Sequence, residues 1–143
     1  MAIKNQIKMS IQSLSENVGI ARVSTAAFAA LVDFTLNEIE EIKVAVSEAV
    51  SNAVIHGYEY QDGEIEIKMT LYEDKIEYII IDHGRGIADI ALARQPSYSS
   101  DPERMGLGFA FMESFMDELH IESEVNKGTQ VRMVKKTLLK TEH

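Results

Sequence analysis

"SEAVSNAVIHG", residues 47–57, carries an acid, an amide and an imidazole four residues apart, at Glu48, Asn52 and His56. Its surroundings predict the local structure. Thr35 and Glu38 in "TLNE" form a capping box that opens a helix, and Gly57 is expected to close it as a C′ glycine. Between them Ile39, Ile42, Val46, Ala49, Val50 and Ala53 recur at helical spacing and make a core face. Ala45, Ala49 and Ala53 add a row of small residues that lets a neighbour or a ligand approach closely. The expected helix spans about 36–56, with Glu48, Asn52 and His56 on one face. At a rise of about 1.5 Å per residue, Glu48 and His56 are roughly 12 Å apart along it, too far to share one metal ion. Asn52 lies between them, and its amide oxygen suits Mg²⁺, which is commonly held by few protein ligands plus phosphate oxygens. Glu48 is then a base or an orienting acceptor one turn away. The same row also reads as a solvent-facing stripe whose last histidine meets the helix dipole.

Outward from this helix, the pattern predicts a compact order of elements. Ile7, Met9 and Ile11 alternate in a strand over about 3–11. Residues 15–32 repeat apolar residues at helical spacing, with Ser15 as the expected cap. After Gly57, "EIEIKMTLYE" alternates Ile65, Ile67, Met69 and Leu71 as a strand. "EDK" turns the chain, and "IEYIIID" is a second, more buried strand. Residues 83–105 hold Gly84, Gly86 and both prolines of the chain, and read as a long lid-like loop. "GLGFAFMESFMDEL" reads as a helix, and "HIESEV", "NKG" and "TQVRMVKKTLL" as a closing hairpin. Strand, helix, helix, strand, strand, lid, helix, strand, strand implies an α/β (α+β) two-layer sandwich: one mixed, mostly antiparallel sheet with helices on one face. The whole chain, 1–143, is expected to be one domain.

Composition narrows the function classes. The chain has 143 residues, no cysteine and a net charge of −9. Disulfides and thiolate metal sites are therefore excluded. A nucleic-acid binder shows a basic stripe, because phosphate neutralisation dominates its affinity. Here the only basic run, "VRMVKK", falls on a strand, so direct nucleic-acid binding is not expected. An acidic balance fits a protein partner or a metal-chelated nucleotide. The N-terminus lacks the apolar core of a signal peptide, and "YIII" is far too short to span a bilayer. A cytoplasmic location is expected.

Two further stretches carry site chemistry. In "IIIDHGRG" (79–86), Asp82 ends a buried strand and is followed by Gly84 and Gly86, which let a ligand approach the backbone. A plain aspartate turn at a strand end is the other reading. A dinucleotide fingerprint does not fit, since no helix opens at these glycines and the third is missing. In "RMGLGFAFME" (104–113), Gly106 and Gly108 lead into a helix whose free N–H groups can bind phosphate. No GK[ST] follows, so this is not a P-loop.

As an ordered set these pieces resemble the Bergerat-fold ATP site of the GHKL superfamily, shared by histidine kinases, type II topoisomerases, MutL proteins and ninety-kilodalton heat-shock chaperones. "EAVSNAVIHG" is similar to its N box, "DHGRG" and "GLGF" to its glycine boxes, and "NKGT" to its last motif. "ARVSTAAF", "EIKVAVSEAVSNAVIHGY", "ARQPSYSS", "GFAFMESFMDEL" and "ESEVNKGT" extend the likeness over nearly the whole chain, to the anti-sigma F factor family of endospore-forming bacteria. This resemblance implies a homodimeric anti-sigma factor. It would hold a sporulation sigma factor inactive and phosphorylate its anti-anti-sigma antagonist on serine with Mg-ATP, releasing ADP. Asp82 would accept from the adenine amino group, with Gly84 and Gly86 in the glycine box and Gly86 and Thr129 beside the base. Asn52 would bind Mg²⁺, Gly106 and Gly108 would donate backbone N–H groups to phosphates, and Glu48 would be the catalytic base. Arg22 matches an arginine that contacts both partners. Arg104, at the end of the lid, is read either as a γ-phosphate ligand or as a solvated arginine. His56 is read as a phosphate neighbour or a helix cap. His83 departs from the family pattern, where an acid or Asn often follows the aspartate.

Three other readings compete. A general-stress anti-sigma serine kinase shares most motifs. A detached histidine-kinase catalytic domain needs a dimerising hairpin with an acceptor histidine, which residues before 36 do not supply. A non-catalytic ATP-sensing partner switch would use the lid without transferring phosphate.

Overall fold

The computed structural model describes residues 2–95 and 105–137. Five strands form one sheet: β1 Asn5–Gln12, β2 Glu64–Leu71, β3 Lys75–Asp82, β4 Glu118–Glu124 and β5 Gly128–Lys136. Their spatial order is β1-β2-β3-β5-β4. Every pairing among the described residues is antiparallel. The expected two-layer α/β architecture holds, with a sheet that is antiparallel throughout where a mixed one was expected. The reason lies in the connections: β1 reaches β2 through a helical pair, and β4 is laid at the far edge so that its hairpin returns β5 beside β3.

Alternation decides which face of the sheet is covered. Ile65, Ile67 and Met69 of β2, Ile76, Tyr78 and Ile80 of β3, and Val131 and Met133 of β5 share one face and are buried. Full burial of each such side chain stabilises by about 1.5–3 kcal/mol relative to exposure. The other face carries Glu66, Lys68, His120 and Arg132, each at least partly exposed. Over the apolar face lie helices α1 (Asn17–Ala29), α2 (Leu36–Asn52) and α4 (Met105–Phe115), while α3 (Ile90–Ala93) is a short helix in the segment after β3. Helix α2 packs between α1 and α4, and its Ile42, Ala45, Val46, Ala49 and Val50 are buried as the apolar spacing requires.

The capping box on α2 forms as expected. Glu38 N–H donates to Thr35 Oγ1 (3.1 Å) and Thr35 N–H to Glu38 Oε1 (2.8 Å). Two other expected ends differ. Ser15 does not cap α1: Glu16 holds that position without a side-chain cap bond, and Ser15 lies in the preceding turn, its carbonyl accepting from Val18 N–H (3.2 Å). Nor is Gly57 a left-handed C′ residue. After Asn52 the helix widens into one π turn, Ala53–Gly57, closed by Tyr58 N–H donating to the Ala53 carbonyl five residues back (2.8 Å). The positive φ angles fall later, at Glu59 and Tyr60 (53° and 62°).

Candidate active site

Strand order builds the site. Asp82 is the last residue of β3 and pairs in register with Thr129, the second residue of β5. The π turn of α2 arrives beside them. A cleft opens there, walled by Asn52 and His56 on the helix side and by Asp82, Gly86 and Thr129 on the strand side, with Ile80, Val131 and Phe109 as apolar floor. A mostly apolar cleft with a few convergent polar groups is the usual form of a small-molecule site.

Asp82 is 6% exposed. Burial pushes its carboxyl above the ordinary aspartate value, against the pull of backbone N–H bonds from Gly84 and Thr129. The Gly84 N–H donates to Asp82 Oδ1 at 2.9 Å. Gly57 lies against the same carboxyl: a Cβ on it would come 3.0 Å from Asp82 Oδ1. The glycine at the helix end therefore leaves room for the buried aspartate it touches rather than serving a left-handed turn.

Glu48 stands one turn before Asn52, half-buried, against the first turn of α4. A Cβ on Gly108 would lie 2.9 Å from Glu48 Oε1 and 3.4 Å from Asn52 Nδ2. Burial raises the Glu48 carboxyl above the ordinary glutamate range. The Asn52 Nδ2 atom is buried and has no hydrogen-bond partner among the described residues. Buried polar groups without partners are rare and call for a ligand or a role.

A family model for the histidine kinase-like ATPase domain matches residues 11–135. The chain is 48% identical over 136 residues to the anti-sigma F factor of Clostridium botulinum (strain Eklund 17B / Type B), covering 93% of this chain and 95% of that one. It is 46% identical over 136 residues to the anti-sigma F factor of Anoxybacillus flavithermus, covering 93% of each chain. This chain belongs to the anti-sigma F factor family. Part of a solved structure of the RsbU and RsbW domains of a Mycobacterium tuberculosis protein shares its fold, with a TM-score of 0.66 at 21% identity. That match covers 92% of this chain and 32% of the longer one.

On this anti-sigma F family scaffold, Asn52, His56, Asp82, Gly86 and Thr129 come together on one cavity, and Glu48 and Gly108 adjoin it. Gly84 and Gly106 do not line it. A Cβ on Gly84 would lie 2.1 Å from the Gly57 carbonyl oxygen, and one on Gly106 would lie 2.0 Å from that of Gln95. Both glycines let backbones touch. Arg22 is apart, exposed on α1, where its Nε donates to Ser47 Oγ (2.8 Å) on α2. That bond braces the arginine on the residue next to Glu48. Arg104 and the rest of 96–104 lie outside the described residues.

The sequence reading missed three positions. Tyr58 Oη donates to the Glu64 carbonyl (2.6 Å) and accepts from His83 N–H (2.8 Å), so it holds the backbone just after Asp82. Arg85 Nε donates to the His56 carbonyl (2.7 Å), tying the start of the lid to the π turn. Ser123 Oγ accepts from Ile87 N–H (2.7 Å) and lies 2.8 Å from Thr129 Oγ1. Only Ser123 left a trace in the sequence: it occupies the inward phase of a strand whose other inward residues are Leu119 and Ile121.

Proposed function

We propose that the protein holds a sporulation sigma factor inactive and uses Mg-ATP to phosphorylate the antagonist of that complex on serine. The observation that carries the kinase half is Gly108. It sets the first turn of α4 directly over Glu48 and Asn52, three groups from two distant stretches of chain converging beside one cavity. Free N–H groups at a helix start bind phosphate, and here the first turn of α4 passes beside the acid and the amide of α2.

The nucleobase belongs in the apolar cleft, with Asp82 and Thr129 accepting from its amino group. The residues present fit a magnesium ion. Asn52 has an unpartnered buried amide end, which a half-turn makes an oxygen, and among the described residues no cluster of three histidines or acids could bind a metal by itself. A cation there would rest on Asn52 and phosphate oxygens, the usual arrangement for Mg²⁺. When bound, it neutralises charge on the phosphates. Glu48 orients the incoming serine hydroxyl. As the serine oxygen bonds to the γ-phosphorus and the bond to the β–γ bridging oxygen breaks, ADP leaves and Glu48 takes the serine proton late.

The partner half rests on family membership and on Arg22. Ser47 fixes that arginine in an exposed position on α1, where two partners would compete for one surface. Phosphotransfer from ATP to the cognate anti-anti-sigma protein, with and without Mg²⁺, tests the reading. Phosphoserine on the partner that depends on Mg²⁺ is expected. Binding of ATP without any transfer would leave a nucleotide-sensing switch instead.

A further inference from the structure

Ser123 belongs to the edge strand β4, yet its hydroxyl touches three groups around the cleft. Ile87 N–H donates to it at 2.7 Å. The Gly128 carbonyl lies 2.9 Å away, and Thr129 Oγ1 lies 2.8 Å away. A serine hydroxyl has one hydrogen and two lone pairs. The Ile87 amide can only donate, so it takes one lone pair. The Gly128 carbonyl can only accept, so it takes the hydrogen. The remaining lone pair faces Thr129, which must therefore donate its own hydrogen to Ser123. The opposite assignment would leave two acceptor oxygens 2.9 Å apart with no hydrogen between them.

Thr129 also lines the cleft beside Asp82. With its hydrogen committed to Ser123, its oxygen offers the cleft lone pairs only. Asp82, when ionised, is likewise an acceptor. We infer that Ser123 is a specificity-determining residue: by fixing Thr129 as an acceptor, it selects a nucleobase bearing an exocyclic amino group over one bearing an oxo group at the same position. This rests on the nucleotide reading above. Ser123 acts through Thr129 and is a positioning residue, since it does not itself line the cleft.

The test compares ATP with inosine triphosphate, which replaces the 6-amino group by an oxo group, in calorimetric titrations of the full chain with Mg²⁺. Ser123→Ala frees the Thr129 hydroxyl to rotate and donate. The preference for ATP over inosine triphosphate should shrink by about five- to tenfold, the scale of one neutral hydrogen bond. Ser123→Thr keeps a hydroxyl at the same place and should restore the preference. Thr129→Val should lose the preference too, and Ser123→Ala added to it should cost nothing further, because the two residues act as one unit. Losing the Ile87 contact loosens the lid for both nucleotides equally, so an equal fall in both affinities with an unchanged ratio would overturn the inference. Wild-type protein that binds neither nucleotide would overturn the nucleotide reading itself, whereas wild type that binds ATP beside a variant with an unaltered ratio overturns only the role of Ser123.

Discussion

Gly108→Ala separates the stability of the fold from the working of the site, because the two should move in opposite directions. The glycine is buried in the first half of α4, an 11-residue helix. Glycine in a helix interior costs about 0.8–1.0 kcal/mol relative to alanine. The added methyl would meet Glu48 Oε1 at 2.9 Å and Asn52 Nδ2 at 3.4 Å. The first is the far end of a flexible side chain and can swing a few tenths of an ångström, and the second is an ordinary contact. The unliganded variant should therefore gain about 0.5–1 kcal/mol, or about 2–4 °C in Tm for a chain of this size. The nucleotide should suffer. The methyl stands over the Glu48–Asn52 row, where the proposed reading puts a phosphate. Losing one N–H bond to a charged group costs about 1.5–3 kcal/mol, or about 10- to 150-fold in affinity. Thermal melts with and without Mg-ATP read both effects at once. At an ATP concentration near 100 times the wild-type Kd, ligand stabilisation is about 2.7 kcal/mol for wild type, and a tenfold weaker variant keeps about half of that. A variant with a raised Tm and an undiminished ATP-induced shift would show that α4 does not hold phosphate. A fall in the unliganded Tm would show that Glu48 is too rigidly held to yield. Gly84→Ala is the contrasting control: its Cβ would strike the Gly57 carbonyl at 2.1 Å, so the unliganded fold should weaken.

Glu48→Gln should leave ATP binding within about twofold and abolish serine phosphorylation; because burial raises the carboxyl and the base must be ionised, the wild-type rate should rise with pH through a value above the ordinary glutamate range. Transfer that survives in the Gln variant would remove the base assignment. Tyr58→Phe loses the hydroxyl that links Glu64 and His83 and should lower stability by about 1–2 kcal/mol in urea melts, with unchanged stability refuting the bracing role. Burial raises the Asp82 carboxyl, so the folded state binds its proton more tightly than the unfolded chain, and unliganded stability should decline as pH rises from the ordinary aspartate value through the folded one. Asp82→Asn should flatten that interval in melts across a pH series and remove ATP-induced stabilisation; a slope that persists would assign it to another group.

The element order and the helix face that carries Glu48 and Asn52 were legible because they rest on local signals. The capping box of Thr35 and Glu38, the alternation in β2 and the helical spacing of Ile42, Val46, Ala49 and Val50 each follow from one segment's own chemistry, and all reappear in the structure. What was not legible depends on contacts between segments. The π turn at Ala53–Gly57 has no signature of its own; it forms where the helix end meets Asp82 and leaves Tyr58 N–H to find the Ala53 carbonyl. Tyr58 reads as an ordinary residue after a helix, and its hydroxyl acquires meaning only when β2 and β3 bring Glu64 and His83 within reach. Arg85 reads as one more charge in a glycine loop until its guanidinium meets the His56 carbonyl.

The glycines make the same distinction more sharply, because one residue type serves two purposes here. Gly84, Gly106 and Gly128 are needed where backbone meets backbone: a Cβ would lie 2.1 Å from the Gly57 carbonyl oxygen, 2.0 Å from that of Gln95 and 2.0 Å from that of Asp82. Gly86 is of the same kind, 2.1 Å from the Glu124 carbonyl oxygen, and its φ of 74° demands glycine as well. These four are joints that close the lid base, the hairpin and the end of β3 around Asp82. Gly57 and Gly108 differ: their missing side chains clear space over Asp82 Oδ1 and over Glu48 and Asn52, which are the polar groups of the site. A motif written as glycine, spacer, glycine therefore mixes backbone joints with a glycine that leaves room over polar side chains. Substitution at the joints should cost fold and function together, while substitution at Gly108 should cost function alone. The distance from the absent Cβ to backbone or to a functional side chain, rather than the presence of the motif, tells which glycine does which.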